Sequence, residues 1–362
     1  MKFNPKKRTR EHFPLKFYTA PHEKKSSSLS PFKTFALYGG GVAAAGIALV
    51  LIGTYVVIGR VVEGPGESLW GSAANKPFPI GVDPSAQLIT ENPDVDEFFV
   101  ETITEEPLAT RSKESWFSRV LATLTHIPLY QNIASPTGRI LVIQSGERKE
   151  EVAYNFGEIL DWTEEERALF IEEIISAEPS LSEGKFTPST YITGKSASPK
   201  EVAVIVNEHF KKEVLARYGE DIAEKVSLAD ALTIASILER EAYDFEDMRY
   251  ISGIIWNRLF AGMKLQIDAT LQYAKGTEHQ TKWWPNVVPD DKYIDSMFNT
   301  YENKGLPPAP IANPSLDAIL AALNPRKTDC MFYFHDRDGG FHCSITYEEH
   351  VTSLKEYYGQ GK

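Results

Sequence analysis

The chain of 362 residues contains 42% hydrophobic and 11% aromatic side chains, which suffices for one large or two modest cores. Its formal net charge of −12 argues against a nucleic-acid-binding protein, because nucleic-acid phosphates would require a basic surface. Cys330 and Cys343 are the only cysteines, too few for a disulfide scaffold and without the pairing of a zinc site.

The first 59 residues combine a basic segment with an uncharged one. Residues 1–33 contain nine Lys or Arg against Glu11 and Glu23, and residues 34–59 carry no charge. These 26 residues would rise roughly 39 Å as a helix, more than the roughly 30 Å of hydrocarbon in a bilayer. We therefore predict a cytoplasmic basic tail at 1–33 and a transmembrane helix at 34–59, with the remaining residues outside the cytoplasm.

A cleaved signal peptide is the alternative interpretation of this region. Its apolar stretch would normally be about 7–15 residues long and would come after a short basic start. The uncharged stretch here is longer and begins only after residue 33. This favours an uncleaved, single-pass anchor in the cell membrane.

Residues 60–137 differ in composition from residues 138–362. They are rich in proline, glycine and acidic side chains, with few periodic apolar runs apart from a short amphipathic segment at 115–130. This composition is typical of a spacer, here one that lies outside the cytoplasm.

An orderly unit occupies residues 138–195. It contains, in chain order, a strand-like run at 140–143 and helices at 148–160 and 164–177. Thr163 and Glu166 have the spacing of a capping box, which marks the start of the second helix. Such a unit is either a LysM-like module or an ordinary α+β subdomain, and its pattern alone does not distinguish the two.

Helical patterns dominate residues 196–362. Ser198 precedes a proline at the first helical position, and Ser227 precedes the helical run LADALTIASILEREA. The predicted elements are helices at 199–218, 228–242, 247–261, 316–323 and 347–358, and a hairpin at 330–345. The part of the chain after the membrane segment is therefore predicted to have a mixed α+β fold.

The two cysteines flank the turn of the predicted hairpin. A five-residue loop at 336–340 would pair Cys343 with Tyr333 and leave Cys330 three positions further along its strand. In that register the two sulfurs would not meet. We therefore predict two free, half-buried thiols.

The helix at 228–242 ends in the acidic pair Glu239 and Glu241. At 100° per residue both lie at the border of the apolar face, where partial burial would raise the pKa of a carboxyl and favour a general acid. They are about 160° apart around the helix, so the two carboxyls cannot act on opposite sides of the same bond. Helical position alone distinguishes neither of them from an ordinary solvated acid.

Several segments, in the same order, resemble the MltG/YceG family of endolytic murein transglycosylases. They are GKFTPSTY, TIASILEREA, IIWNRLFAGMKLQIDATLQYAKG, FNTYENKGLPPAPIANPSLDAILAALNP and FYFHDRDGGFHCSITYEEH. The resemblance covers residues 140–358. It implies a LysM-like module at 138–195 and a mixed α+β catalytic domain at 196–362, with the catalytic glutamate near the C-terminal end of a helix.

The same resemblance implies the site residues. The second acid of the family's E-K-E motif corresponds to Glu241, which would be the catalytic residue. The predicted substrate-binding residues are Glu239, Asn257, Gln266, Asp268, Thr270, Asn299 and Tyr301. For several of these side chains, hydrogen bonds that fix a loop or cap a turn are the alternative role. Ala269 stands where the family has proline, Phe298 replaces a tyrosine, and the membrane-proximal half of the family's first domain is not recognisable in 60–137.

The implied reaction needs one carboxyl. Glu241 would protonate the oxygen between MurNAc and GlcNAc and then accept the proton of the MurNAc 6-hydroxyl, which leaves a 1,6-anhydro end. No cofactor or metal is predicted, and the implied partners are glycan strands of peptidoglycan and peptidoglycan synthases in the membrane. The alternatives are a muramidase-type hydrolase, for which Asp268 would be the second carboxylate, and a non-catalytic, membrane-anchored wall-binding protein.

Overall fold

The computed structural model describes residues 76–100, 138–276 and 282–359. The predicted basic tail, the predicted transmembrane helix and the amphipathic segment at 115–130 lie outside these ranges. Among the residues that are described, no helix is both long and apolar enough to cross a membrane. The described part is a mixed α+β fold, as predicted.

Residues 76–100, within the predicted spacer, pack into the largest hydrophobic core. Their elements are the antiparallel strands β1 (Val82–Asp83) and β2 (Leu88–Ile89) and the short helix α1 (Asp94–Phe98). Phe78 and Phe98 are both buried, with ring centroids 5.5 Å apart. Asn324 Nδ2 donates to Pro79 O at 2.7 Å. This part of 60–137 therefore belongs to the folded body, which its Pro-rich and acidic composition does not indicate.

The unit at 138–195 is a β-α-α-β arrangement with a core of its own. Its elements are β3 (Gly138–Ile143), α2 (Lys149–Leu160), α3 (Glu164–Ala177) and β4 (Ser189–Gly194). The two strands are antiparallel, with Gly138 opposite Gly194. Helix residues four apart, such as Phe170 and Ile174, are buried together in this core. The closing strand β4 is an element that the strand–helix–helix prediction lacks.

The remaining elements form the larger part of the structure. They are α4 (Pro199–Glu213), α5 (Glu220–Ala223), α6 (Leu228–Glu241), α7 (Phe245–Phe260), α8 (Asp268–Gly276), α9 (Leu316–Leu323), the hairpin strands β5 (Phe332–His335) and β6 (Phe341–Ser344), and α10 (Tyr347–Tyr358). Helix α6 packs against α7 and α9, and every residue from 231 to 238 is buried. A helix that is buried all round is a core helix. Its last three residues, 239–241, are only half-buried and bring the end of the helix to the surface.

Asn313 fastens the 138–195 unit to the rest of the structure. Its backbone N–H and its Nδ2 both donate to Glu147 O at 2.8 Å, and its backbone oxygen accepts from Gly146 N at 2.9 Å. Its Oδ1 accepts from Phe186 N at 3.0 Å. Asn313 is fully buried. Each of its four polar groups therefore bonds to a residue of the β-α-α-β unit and not to water.

The prediction of free thiols is wrong, because Cys330 and Cys343 form a disulfide with their Cα atoms 5.8 Å apart. The hairpin register is the predicted one, with Tyr333 opposite Cys343. The ladder ends at Phe332, however, and an extended continuation would place Cys330 about 10 Å from Tyr333, the residue opposite Cys343. The chain instead bends before β5, where Asn257 Nδ2 donates to Cys330 O at 3.1 Å. This bend brings the two cysteines together.

Reduction of this disulfide is expected to lower the free energy of unfolding by about 3 kcal/mol, since the bond closes a short loop of sequence separation 13. Denaturant unfolding with and without a reducing agent measures the difference. The double variant Cys330→Ser/Cys343→Ser should match the reduced wild type and should not respond to the reductant. Equal stability of oxidised and reduced wild type would contradict the prediction.

Candidate active site

Glu241 is the last residue of α6, and its carboxyl lies beside strand β5. Its Oε2 accepts a hydrogen bond from the Tyr333 hydroxyl at 2.9 Å. The residue as a whole is half-buried, while its carboxyl lies deep enough for burial to be the largest influence on its pKa. The C-terminal end of a helix carries a partial negative charge, which disfavours ionisation of a carboxyl there.

The surroundings of Glu241 favour its protonated form. Burial is the largest effect and raises the pKa of Glu241 above that of an ordinary glutamate, and the negative charge of Asp268 raises it further. Hydrogen bonds from Tyr333 and from the Ala269 N–H, together with His335, act in the opposite direction. A carboxyl that keeps its proton to a higher pH than an ordinary glutamate is suited to general acid catalysis.

Tyr333 is a site residue that the sequence motifs did not reveal. Burial and the adjacent Glu241 carboxyl raise the pKa of Tyr333 well above the ordinary value, so that it remains a neutral donor. Its ring stacks on Phe341 of β6 with centroids 6.1 Å apart. The signal that could have found it is strand alternation in FYFH, which places Tyr333 and His335 on one face of β5.

A second pair on the same face fixes the turn after Glu241. His335 Nε2 and Asp247 Oδ2 lie 2.7 Å apart, and the same oxygen accepts from Tyr243 N at 2.6 Å. The Tyr358 hydroxyl of α10 donates to His335 O. The turn from α6 to α7 is thereby attached to β5. Within 76–100, 138–276 and 282–359, no cluster of three or more His, Cys, Asp or Glu is arranged to hold a metal ion.

Asp268 and Tyr301 are two predicted substrate-binding residues that the structure places next to Glu241. The Tyr301 hydroxyl donates to Asp268 Oδ1 at 2.6 Å. After burial, the charge of Asp268 contributes to the raised pKa of Glu241. Burial, Asp268 and Glu241 all raise the pKa of Tyr301. Gln266 is exposed nearby, with φ at +52°. This left-handed conformation is uncommon for glutamine. It is maintained by the bond from Gln266 N to Thr300 O at 3.0 Å.

Thr270 and Asn299 are fully buried, and their polar groups bond inside the protein. Thr270 Oγ1 donates to Ile267 O at 2.7 Å, and Asn299 Nδ2 donates to Lys292 O at 3.0 Å and to Ile294 O at 2.8 Å. These are loop-fixing bonds. Direct substrate contact by Thr270 and Asn299 remains a prediction that these bonds do not support.

Asn257 and its neighbour Arg258 hold the segment that leads into β5. Asn257 Nδ2 donates to Thr328 O at 2.8 Å as well as to Cys330 O. Arg258 Nε donates to Met331 O at 2.6 Å. The N-R-L motif therefore positions the hairpin that carries Tyr333, and substrate contact by Asn257 stays a prediction.

Glu239 and Glu241 have separate partners, as their predicted separation around the helix requires. Glu239 Oε2 accepts from Ser315 N at 2.9 Å and from Ser315 Oγ at 2.6 Å. Ser315 is also the N-cap of α9. Arg240 lies between the two acids in the sequence, and its guanidinium is 3.9 Å from the centre of the Trp284 ring. Glu239 thus joins α6 to α9, and its predicted role in substrate binding has no support from these contacts.

Comparison with known proteins agrees with the resemblance seen in the motifs. The endolytic murein transglycosylase of Streptococcus pneumoniae (strain D39) is 31% identical over 176 residues, which are 48% of this chain and 32% of that protein. The protein of the same name from Bacillus subtilis (strain 168) is 34% identical over 176 residues, 48% of each chain. The chain therefore matches a third to a half of the length of these curated relatives.

A solved structure and a family model extend the match. The crystal structure of a yceG-like protein from Listeria monocytogenes shares the fold, with a TM-score of 0.53 and 23% identity over 77% of this chain and 98% of that one. The model of the YceG-like family matches residues 112–356. Because that match spans most of the sequence, the chain belongs to the YceG-like family.

Proposed function

We propose that this protein is an endolytic murein transglycosylase, which cleaves the bond between MurNAc and GlcNAc within glycan strands of peptidoglycan. Membership of the YceG-like family and the names of its curated relatives support this function. The observation that carries it is Glu241, a carboxyl with a raised pKa at the end of a buried helix, which has a hydroxyl donor on one of its oxygens.

The proposed reaction uses Glu241 twice. The protonated carboxyl donates its proton to the glycosidic oxygen, which leaves on GlcNAc as the C1–O bond of MurNAc breaks with oxocarbenium character. The MurNAc 6-hydroxyl oxygen then bonds to C1, and its proton passes to the Glu241 carboxylate. The 1,6-anhydro product forms without water, and Glu241 returns to its protonated state.

Asp268 and Tyr301 are proposed to contact the sugars, together with the exposed Gln266. Asp268 is the group that a hydrolase would use as its second carboxylate, because an inverting or retaining mechanism needs two acids. Its hydroxyl partner at 2.6 Å and its exposed position are compatible with substrate binding. Product analysis distinguishes the two chemistries.

The same proposal includes the location of the enzyme. We propose that residues 34–59 anchor it in the cell membrane with residues 1–33 in the cytoplasm, which the charge distribution supports. The unit at 138–195 is proposed to be a LysM-like glycan-binding module, and its β-α-α-β order supports this assignment. Peptidoglycan synthases in the same membrane are the proposed partners.

Digestion of purified peptidoglycan is expected to give glycan fragments that end in 1,6-anhydroMurNAc. Mass spectrometry identifies these ends, because each is lighter by one water than a reducing MurNAc end. Cleavage within long strands, rather than release of terminal disaccharides, would support endolytic action. A digest that contains only reducing ends would contradict this proposal and would identify the protein as a hydrolase.

A further inference from the structure

We propose that Tyr333 is a positioning residue that holds Oε2 of Glu241, so that the catalytic proton is carried on Oε1. The inference rests on the proposed function, in which Glu241 acts as acid and then as base. A hydroxyl that donates to one carboxyl oxygen occupies a lone pair there and favours protonation of the other oxygen. Tyr333 would thus determine which oxygen delivers the proton to the glycosidic bond.

The hydroxyl of Tyr333 is held by rigid elements, as such a role requires. Tyr333 lies in β5, paired with Cys343 of β6, and the Cys330–Cys343 disulfide connects the segment just before β5 to β6. Its ring is stacked on Phe341. Glu241 ends α6, in which residues 231–238 are all buried, so its backbone is anchored in the core. The two groups, 2.9 Å apart, are therefore carried by two well-packed elements.

Tyr333 also influences how readily Glu241 gives up its proton. A donor to a carboxylate stabilises the charged form, so the hydroxyl opposes the effect of burial on the pKa of Glu241. Loss of the hydroxyl would therefore raise that pKa further. The titratable and charged groups that face Glu241 from the surrounding elements are Arg240 of α6, Asp268 of α8, Tyr301 of the 299–303 turn, and Tyr333 and His335 of β5.

The variant Tyr333→Phe tests this role in the full-length protein. We expect kcat to fall about 10- to 100-fold, the loss expected for one hydrogen bond to a charged group, with little change in KM. The alkaline limb of the pH profile of kcat should move to higher pH, because the Glu241 carboxyl keeps its proton longer. The matched control Tyr347→Phe removes a hydroxyl from an exposed position of α10 and should leave kcat and the pH profile unchanged.

The outcomes separate this inference from the proposed function. Unchanged kcat and pH profile in Tyr333→Phe would overturn the positioning role, and so would a loss of activity without a shift of the alkaline limb. If activity is too low for a profile, titration of the Glu241 carboxyl by NMR decides, since its pKa must rise in the variant. The proposed function fails on different results: reducing ends from the wild type, or full activity in Glu241→Gln.

Discussion

Replacement of Glu241 by glutamine is expected to reduce kcat by about 10⁴-fold. General acid–base catalysis contributes typically about 10²–10⁴-fold, and in the proposed reaction this one carboxyl performs both proton transfers. Glutamine has nearly the same shape but no proton that it can release. The upper end of the range therefore applies, and turnover of peptidoglycan followed by mass spectrometry measures it.

The fold is expected to survive this change. Burial disfavours the charged form of Glu241, so a neutral side chain of equal size costs little stability. The glutamine oxygen can still accept from the Tyr333 hydroxyl. Thermal unfolding should therefore differ little between the wild type and Glu241→Gln, which would assign the loss of activity to chemistry.

Glu239→Gln is the matched control, because it makes the same replacement two residues away on the same helix. Its amide oxygen can still accept from Ser315, the partner of Glu239 in the structure. We expect kcat within about threefold of the wild type, since a neutral acceptor retains most of a hydrogen bond. Comparable losses in the two variants would mean that the glutamates support the end of α6 and that the catalytic assignment of Glu241 is wrong.

Local features of this chain were predictable because local interactions produce them. Thr163, Ser198 and Ser227 accept from the backbone N–H three residues on, as their capping signals predict. The hairpin register could be predicted from the length of its loop. The position of Glu239 and Glu241 on opposite sides of α6 could be predicted from helical geometry alone.

The site required contacts that no local pattern contains. Tyr333 is 92 positions from Glu241, and only the packing of the hairpin against α6 and α7 brings them together. The disulfide failed as a prediction for the same reason. The chain before β5 is hydrogen-bonded at Cys330 to Asn257, which is 73 positions away in the sequence. Only the family resemblance distinguishes Glu241 from Glu239. The contact of Glu239 with Ser315, at the start of α9, cannot be predicted from the sequence.

Asn313→Ala is expected to lower the free energy of unfolding by about 3 kcal/mol. The change removes Oδ1 and Nδ2, so the buried N–H of Phe186 loses its partner and Glu147 O loses one of two donors. An unsatisfied buried group costs about 1–3 kcal/mol, and the lost bond and the space left behind add to this. Denaturant unfolding of the purified protein measures the change.

Asn303→Ala provides the control for this variant. Asn303 Nδ2 also makes two bonds to backbone oxygens, to Ser296 O at 2.9 Å and to Asn299 O at 3.1 Å, but the residue is only half-buried. Water can replace the missing donor there, so we expect a loss of about 1 kcal/mol or less. Equal losses in the two variants would contradict the view that burial makes Asn313 the stronger connection.

The Asn313 variant should also affect catalysis, because the connection continues to α6, the helix that ends in Glu241. Asn313 is two residues before Ser315, whose N–H and hydroxyl hold Glu239, and Glu239 is two residues before Glu241. Gly146, which donates to Asn313 O, lies against Arg240, since an added Cβ would stand 3.2 Å from Arg240 Nη1. We therefore expect kcat to fall together with stability. An unchanged kcat in a destabilised variant would mean that the 138–195 unit and the end of α6 are mechanically independent.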